Sequence, residues 1–387
     1  MIRAAIEQLP ASLIREVANA GLGRTDVLPF WFGESDEVTP EPIRAAAAES
    51  LARGETFYSH NLGLPELREA IAAYATALHR PVAASRIAVT SAGVSALMLA
   101  MQMLLGAGDE VVAVVPVWPN LTAQPAILGA RVTRVALAPD AQGAWRLDLP
   151  ALLARVTPDT RVLLVNAPNN PTGWTLGAAE QQAMLEHCRR TGTWIVADEV
   201  YERLCYAGAA AMGCAPSFLD VAAPDDRLIV AHSFSKSFLM TGWRLGWLVL
   251  PPAAMAGAGK LLEFNSSCAP VFVQRGGQAA LAMADTLVPR VVAHLRACRD
   301  RLLPGLQALP GVTVAPAPGG MYAFFRVEGQ DDSLALAKRL VAAHGLGLAP
   351  GAAFGAEGEG WLRWCFASRD LARLDQGLER LKAALVP

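Results

Sequence analysis

Lysine is scarce in this sequence. The 387 residues include 33 lysines and arginines, but only four of them are lysines: Lys236, Lys260, Lys338 and Lys382. A position that keeps lysine against this bias is a candidate for a role that needs an amine, because an amine can lose its proton and attack a carbonyl while guanidinium cannot. The stretch "LIVAHSFSKSFLMTGWRLGW" places Lys236 in such a position. An ordinary solvated lysine is the alternative.

Other absences exclude several classes of function. The formal net charge is only −2 and no long run of one sign occurs, so we expect neither a nucleic-acid partner nor a membrane surface. The six cysteines form no CxxC pair, and the six histidines form no HExxH motif, so we expect reduced thiols and no metal. GxxxxGK[ST] and GxGxxG are also absent, which disfavours nucleotide and dinucleotide binding. A small soluble ligand is the expected partner.

The apolar segments do not predict membrane insertion. The first twenty residues carry Glu7 and Glu16 and lack a continuous apolar core, so we expect no signal peptide and a cytoplasmic protein. Residues 87–108 carry no charge and are long enough to raise the question of a membrane span. Their serines, glycine and turn-like "SAGVS" instead favour a buried strand followed by a buried helix.

The order of the elements predicts an α/β fold with two domains. From residue 40 to residue 284, apolar runs such as "RVLLVN" and "TWIVAD" alternate with helical patterns, which is typical of a mostly parallel sheet in a three-layer α/β/α domain. Residues 285–387 read as strand, strand, helix, strand and helix, the segregated order of a smaller α+β domain. We expect residues 1–39 to form an N-terminal arm and part of that smaller domain.

Polar residues cluster where the predicted central strands end. Residues 166–170 follow "RVLLV", residues 198–201 follow "TWIVA", and residues 233–236 follow "LIVAH". Ligands of open α/β sheets bind outside the carboxyl ends of the strands, so these residues predict a site. Backbone N–H groups at residues 92–94 in "VTSAGVS" would suit a phosphate, although an ordinary turn gives the same pattern. Asp198 would pair with a protonated pyridine nitrogen or, alternatively, cap a helix.

Three motifs carry a family resemblance. "SFSKSFLMTGWRLGW" resembles the lysine signature of the class I/II aminotransferases, which are fold-type I enzymes dependent on pyridoxal 5′-phosphate. "NAPNNPTG" and "DEVY" resemble the other two signatures of that family and occur in the expected order. The likeness extends from "YSHNLGLPELREAI", which begins at Tyr58, to "WLRWCFAS", which ends at Ser368. A lysine that forms a reversible imine with the cofactor aldehyde would explain why Lys236 is kept.

The resemblance implies a role for each matching residue of the cofactor site. Lys236 would form the internal aldimine and move the proton between substrate Cα and the cofactor. Asp198 would keep the pyridine nitrogen protonated, Asn170 and Tyr201 would bind the phenolic oxygen, and Trp118 would stack on the ring. The phosphate would be held by a further set of groups: the amides of Ala92, Gly93 and Val94, the Ser233 hydroxyl, Arg244, and Tyr58 from the neighbouring subunit of a homodimer.

For the substrate, the resemblance implies that Arg363 binds the α-carboxylate with help from the Gly33 amide and Asn170. Without the family, Arg363 would be interpreted as a surface residue and Tyr58 as a packed aromatic. Val94, Leu121 and the segment "GESDEVTP" depart from the usual family pattern. These departures fall near the substrate entrance, so they weaken any transfer of a relative's specificity.

The sequence therefore predicts an aminotransferase that moves an amino group from an α-amino acid to a 2-oxo acid in amino-acid metabolism, including biosynthesis. A carbon–sulfur β-lyase on the same scaffold is the alternative. A regulatory protein that only senses the cofactor is disfavoured because no DNA-binding extension is expected, and the intact set of site residues opposes a protein with an inactive site. The substrate side chain stays unassigned, because the aromatic cluster at residues 30–32 suits domain packing equally well.

Overall fold

The computed structural model describes residues 2–140, 143–206 and 213–385. Its strands, in chain order, are β1 (Leu28–Pro29), β2 (Ile87–Thr90), β3 (Glu110–Val115), β4 (Arg131–Ala136), β5 (Ala138–Pro139), β6 (Trp145–Arg146), β7 (Thr160–Asn166), β8 (Trp194–Asp198), β9 (Leu228–Ser233), β10 (Gly246–Val249), β11 (Val312–Val314), β12 (Tyr322–Val327), β13 (Leu346–Gly347), β14 (Ala349–Pro350) and β15 (Trp361–Cys365). Its helices are α1 (Ala4–Glu7), α2 (Leu13–Ala20), α3 (Glu41–Ala52), α4 (Pro65–Leu78), α5 (Gly93–Leu104), α6 (Asn120–Ile127), α7 (Leu149–Arg155), α8 (Ala178–Thr191), α9 (Met255–Asn265), α10 (Val271–Ala282), α11 (Ala284–Gln307), α12 (Ser333–His344) and α13 (Leu371–Leu385).

The larger sheet has seven strands in the order β2-β10-β9-β8-β7-β3-β4. Neighbouring strands from β9 to β4 pair in parallel, while β10 is antiparallel to both of its neighbours. The register places Asn166 beside Asp198 at the ends of β7 and β8, and Asp198 beside Ala231 of β9. The predicted, mostly parallel sheet is therefore confirmed, and its three central strands end at one edge.

Alternate residues of the central strands are buried on opposite faces of this sheet. Val112 and Val114 of β3 belong to one apolar cluster, together with residues of α4 and α8. Val111 and Ala113 belong to a second cluster, together with residues of α5 and α9. Because both faces are covered, the strands consist of nearly continuous apolar runs rather than alternating ones. This arrangement confirms the expected three layers.

A smaller, four-stranded antiparallel sheet has the order β11-β12-β15-β14. The N-terminal segment packs against the same part of the molecule, since α2 contacts α12 and β14, and Leu28 of β1 pairs in parallel with Leu346 of β13. The fold class is thus confirmed. The domain boundaries at residues 39 and 284 stay a prediction, although the second coincides with the start of α11.

The uncharged residues 87–108 form β2 and α5, both largely buried, as the sequence predicts. Within the described ranges, no helix is both long enough and apolar enough to cross a membrane.

A buried network of charged and polar side chains lies next to the segment that follows β8. The His79 ring nitrogens contact Glu202 Oε2 at 3.2 Å and Asp220 Oδ1 at 3.0 Å, and His232 Nδ1 lies 3.6 Å from Glu202 Oε1. Burial alone would lower the pKa of His79, but its hydrogen bonds to Asp220, Cys214 and Glu202 outweigh burial and raise it. Cys214, His79 and Glu202 are types of residue that coordinate metals. Since carboxylates already occupy both ring nitrogens, we interpret the cluster as an ion-pair network.

We expect His79→Gln to lower the free energy of unfolding by about 3 to 5 kcal/mol, because it removes the cation that is hydrogen-bonded to the buried Glu202 carboxylate. The folded-state pKa of His79 lies above the unfolded value of about 6.5, so the stabilisation is complete below about pH 6.5 and decreases as pH rises. Urea unfolding at about pH 6 and pH 8.5 measures both effects.

Arg301→Gln is the matched control, because Arg301 and Asp375 form a solvent-exposed pair at 2.6 Å. An exposed pair contributes about 1 kcal/mol or less. Equal losses for the two variants would contradict the assigned role of His79.

Candidate active site

A pocket of about 510 Å³ opens where β7, β8 and β9 end. Its walls include Asn166, Asp198 and Ser233 from these strands, and Tyr322 and Arg363 from the smaller sheet. All of the residues predicted for the site line this pocket except Ala92 and Tyr58. Residues that are far apart in the sequence therefore meet in one cavity at the predicted edge of the sheet.

Lys236 follows β9, and its amine points into the pocket. Burial lowers the pKa of Lys236 to about 8, and the positive charge of Arg363 also lowers it. The amine donates a hydrogen bond to the Gly33 carbonyl oxygen at 2.6 Å and lies 5.4 Å from the centre of the Tyr201 ring. An amine with this pKa is partly unprotonated near neutral pH, so it can act as a nucleophile or a base.

Asp198 is the last residue of β8 and is 2% exposed. Burial raises the pKa of its carboxyl to about 7, although a hydrogen bond from the Val200 N–H and the charge of Lys236 act in the opposite direction. The Val200 bond is long, at 3.4 Å. A buried carboxyl with so little support favours a cationic ligand group next to it, because such a group would stabilise the ionised form.

Asn166 connects the ends of β7 and β8 through its side chain. Its amide nitrogen donates to the Asp198 carbonyl oxygen at 3.0 Å, and its side-chain oxygen accepts from the Asn170 N–H at 2.8 Å. Asn166 belongs to the polar cluster predicted after β7, but no role was predicted for it. Its position as the last residue of a buried strand was the available signal.

Arg363 lies on β15 and is only 2% exposed, so the interpretation as a surface arginine is wrong. Its guanidinium donates to Asn170 Oδ1 at 2.9 Å and to the Trp31 carbonyl oxygen. The guanidinium also stacks on the rings of Tyr322 at 4.5 Å and Phe354 at 4.9 Å. Among the described residues, its buried Nε has no hydrogen-bond partner. A buried donor without a partner suits a ligand carboxylate.

The group of backbone donors at the start of α5 begins one residue later than predicted. Ala92 has a φ of 108°, and its N–H donates to the Thr90 carbonyl oxygen at 2.9 Å, so this amide is already engaged. Gly93 and Val94 line the pocket. A Cβ on Gly93 would lie 3.1 Å from the Cβ of Ser233, so glycine fits the close approach of the two chains.

Hydroxyl and guanidinium groups complete this corner of the pocket. Ser233 Oγ donates to Ser235 Oγ at 2.9 Å, and both serines line the pocket with Arg244. Ser235 had no role in the sequence analysis, although it directly precedes Lys236. Helix N–H groups, hydroxyls and arginine together suit an anion such as phosphate.

Two predicted site residues, Gly33 and Tyr58, do not present the predicted groups to the pocket of their own chain. Gly33 presents its carbonyl oxygen to Lys236, whereas the sequence analysis assigned a role to its amide. Tyr58 is 89% exposed and lies outside the pocket of its own chain. Its predicted contribution to a neighbouring subunit stays a prediction.

Tyr322 of β12 is a site residue that was not predicted from the sequence, and its hydroxyl oxygen lies 2.6 Å from that of Tyr201. In the run "MYAFFRV" this tyrosine has the pattern of an ordinary core residue, so the sequence carried no signal for it. Arg15, Phe32 and Glu34 of the N-terminal segment also line the pocket and had no predicted side-chain role.

Comparisons with known proteins agree with this geometry. Residues 26–381 match the family model described as aminotransferase class I and II. The chain is 29% identical to an aspartate aminotransferase of Pyrococcus horikoshii, over 97% of this chain and 94% of that protein. It is 32% identical to an arginine–pyruvate transaminase of Pseudomonas aeruginosa, over 87% and 85% of the two chains. A solved mutant of Thermus thermophilus aspartate aminotransferase superposes with a TM-score of 0.91 and 28% identity, covering 100% of both chains.

The environment of Lys236 predicts unusual reactivity of its amine. We expect labelling by an amine-specific reagent, without any ligand, to increase with pH through a midpoint of about 8, because only the unprotonated amine reacts. Peptide mapping after brief labelling at a series of pH values measures the midpoint. Lys236→Ala identifies the peptide. A Lys236 peptide that is labelled only above about pH 10 would show that burial does not lower the pKa of this amine.

Proposed function

The chain belongs to the family of class I and II aminotransferases, and from this we propose that the pocket around Lys236 is its active site. The protein is a pyridoxal 5′-phosphate-dependent aminotransferase, which moves an amino group from an amino acid to a 2-oxo acid. The observation that carries the assignment of the site is that one cavity holds a lysine with a lowered pKa and a buried arginine with an unused donor.

The residues present fit this cofactor. Asp198 is a buried acid whose hydrogen bond from the Val200 N–H is long, at 3.4 Å, and such a carboxyl suits a protonated ring nitrogen. Gly93 and Val94 at the start of α5, together with Ser233 and Arg244, suit a phosphate. Pyridoxal 5′-phosphate supplies an aldehyde that bonds to amines and a ring that accepts electrons.

Each remaining residue has a role in binding or proton transfer. In the proposal, Tyr201 and Asn170 hydrogen-bond the phenolic oxygen and Trp118 covers the ring face. The Lys236 amine takes the proton from substrate Cα, which its pKa of about 8 allows near neutral pH. Arg363 binds the substrate carboxylate, and its bonds to Asn170 and Trp31 fix the plane of the guanidinium. The carbon–sulfur β-lyase alternative gains no support from the relatives above, which are named aminotransferases.

We expect Arg363→Lys to lower kcat/KM for amino acids by about 30-fold to several thousand-fold, which corresponds to about 2 to 5 kcal/mol. An ammonium group cannot reproduce the planar pair of hydrogen bonds. Cofactor affinity should stay unchanged, because the substitution removes a substrate contact. Steady-state kinetics and cofactor titration measure the two quantities separately.

Arg326→Lys on β12 is the matched control, because this exposed arginine stacks on Trp361, 5.7 Å from its ring centre, outside the pocket. An unchanged kcat/KM in Arg363→Lys, or an equal loss in both variants, would rule out the proposed role of Arg363.

For the substrate side chain we propose a carboxylate. Arg15 of α2 is an exposed cation that lines the pocket, and its guanidinium lies 4.7 Å from the centre of the Phe32 ring. This stacking holds the charge at the pocket wall. Several relatives are named aspartate aminotransferases, which agrees with a dicarboxylic substrate. Glu34 lines the same pocket, but its carboxylate accepts a hydrogen bond from Thr241 at 3.2 Å.

We expect Arg15→Met to raise KM for aspartate and glutamate about threefold to tenfold, because an exposed charge pair contributes about 1 kcal/mol. KM for alanine should not change. Kinetics with a panel of amino donors and 2-oxoglutarate or pyruvate as acceptors measures this difference. A preference for arginine that is lost in Glu34→Gln would contradict the dicarboxylate proposal.

We also propose a cytoplasmic homodimer with a role in amino-acid metabolism, including biosynthesis. Phe57, Tyr58 and Phe264 are large side chains that are more than four-fifths exposed, at 83%, 89% and 86%. Exposed aromatic residues of this kind favour a protein interface. Cys188, Cys214, Cys268, Cys298 and Cys365 form no disulfide, which agrees with a reducing compartment. In this proposal Tyr58 donates a hydrogen bond to the cofactor phosphate held by the partner subunit.

Mixing of subunits tests the position of Tyr58. Tyr58→Phe should weaken cofactor binding about tenfold to a hundredfold. Hybrids of Tyr58→Phe and Lys236→Ala chains should regain one intact site, so at limiting cofactor their activity should exceed that of either parent. Hybrids of Tyr58→Phe with doubly substituted Lys236→Ala, Tyr58→Phe chains are the control. A mixture no more active than this control would show that Tyr58 does not act across subunits.

A further inference from the structure

Beside Lys236, a tyrosine of the smaller sheet meets a tyrosine that follows a strand of the larger sheet. Tyr322 lies on β12 of the smaller sheet and is fully buried, and Tyr201 follows β8 of the larger sheet. Their hydroxyl oxygens are 2.6 Å apart. Both residues line the pocket. This short hydrogen bond links the smaller sheet to a residue that the proposed function places on the cofactor.

The surroundings of the pair decide which phenol donates. Only one proton can lie between two phenol oxygens. Burial raises the pKa of both phenols, so both hydroxyls are protonated near neutral pH. In the proposed function the Tyr201 proton goes to the phenolic oxygen of the cofactor, so the proton between the two hydroxyl oxygens is that of Tyr322. Tyr322 is therefore the donor and Tyr201 the acceptor.

We propose that Tyr322 is a positioning residue that donates to the Tyr201 oxygen and thereby directs the Tyr201 hydroxyl proton into the pocket. This inference rests on the proposed function, in which Tyr201 donates to the phenolic oxygen of the cofactor. A phenol whose oxygen accepts a hydrogen bond becomes a stronger donor through its own proton. Tyr322 thus strengthens the contact of Tyr201 with the cofactor without touching the reacting atoms.

Gly33 makes room for this contact. A Cβ at position 33 would lie only 2.1 Å from the Tyr322 hydroxyl oxygen, so a larger residue would displace the tyrosine. The Gly33 carbonyl oxygen also accepts the hydrogen bond from Lys236. The N-terminal segment, the smaller sheet and the larger sheet therefore meet at Tyr322.

The pH dependence of the visible absorption of the bound cofactor tests the proposal. In Tyr322→Phe, Tyr201 becomes a weaker donor, so the cofactor oxygen keeps more negative charge and holds the proton on the nearby Lys236 nitrogen more tightly. We expect the midpoint of the absorption change to move up by about half a pH unit. Tyr201→Phe should give a larger shift in the same direction. The double variant Tyr201→Phe, Tyr322→Phe should have the same midpoint as Tyr201→Phe alone, because Tyr322 acts through Tyr201.

Tyr206→Phe is the matched control, because Tyr206 is a phenol that bonds the Gly320 carbonyl oxygen at 2.8 Å outside the pocket. Its midpoint should equal that of the unsubstituted protein. If Tyr201→Phe shifts the midpoint and Tyr322→Phe does not, this inference is wrong while the role of Tyr201 stands. If Tyr201→Phe has no effect, the proposed role of Tyr201 fails and the inference fails with it. Equal shifts in Tyr322→Phe and Tyr206→Phe would also overturn it.

Discussion

Desolvation at the carboxyl ends of three parallel strands is the constraint on which the site depends. Burial raises the pKa of Asp198 to about 7 and lowers that of Lys236 to about 8, so both groups move toward their neutral forms. In water the same acid and amine would both be fully charged at neutral pH. The strand ends thus provide a dry environment in which an amine is ready to react and a carboxyl favours a cationic ligand.

The fold completes this environment by bringing its two sheets together. Arg363 of the smaller sheet donates to Asn170, which follows β7 of the larger sheet, at 2.9 Å. The hydroxyl oxygens of Tyr322 and Tyr201, which follows β8, are 2.6 Å apart. The N-terminal segment adds the Gly33 carbonyl oxygen, which accepts the hydrogen bond from Lys236. Because these contacts cross between separate parts of the molecule, a shift of the smaller sheet would disturb Arg363 and the pair of tyrosines together.

The sequence predicted the fold class from local apolar patterns, and it predicted the cofactor and the family activity through the resemblance of three motifs to a known family. Continuous apolar runs marked the buried strands, and the polar residues after them marked the edge where a ligand binds. Lys236 was recognisable because it is a lysine in an arginine-rich chain and lies in a specific motif. Arg363 was assigned only through the family resemblance, since a lone arginine on a strand gives no sign of its burial.

Only the tertiary structure shows which residues from remote segments of the chain lie close together in the site. In the sequence Tyr322 has the pattern of a core tyrosine. In the structure its hydroxyl oxygen lies 2.6 Å from that of Tyr201, which is 121 residues away in the chain. Arg15 lines the pocket because α2 packs against α12 and against β14 of the smaller sheet. The Ala92 N–H already donates to the Thr90 carbonyl oxygen, at 2.9 Å. Strand patterns and chemical motifs depend on residues that are neighbours in the sequence, so they can be predicted from it. Hydrogen bonds between remote segments, and the pKa shifts that burial causes, arise only when the whole chain packs.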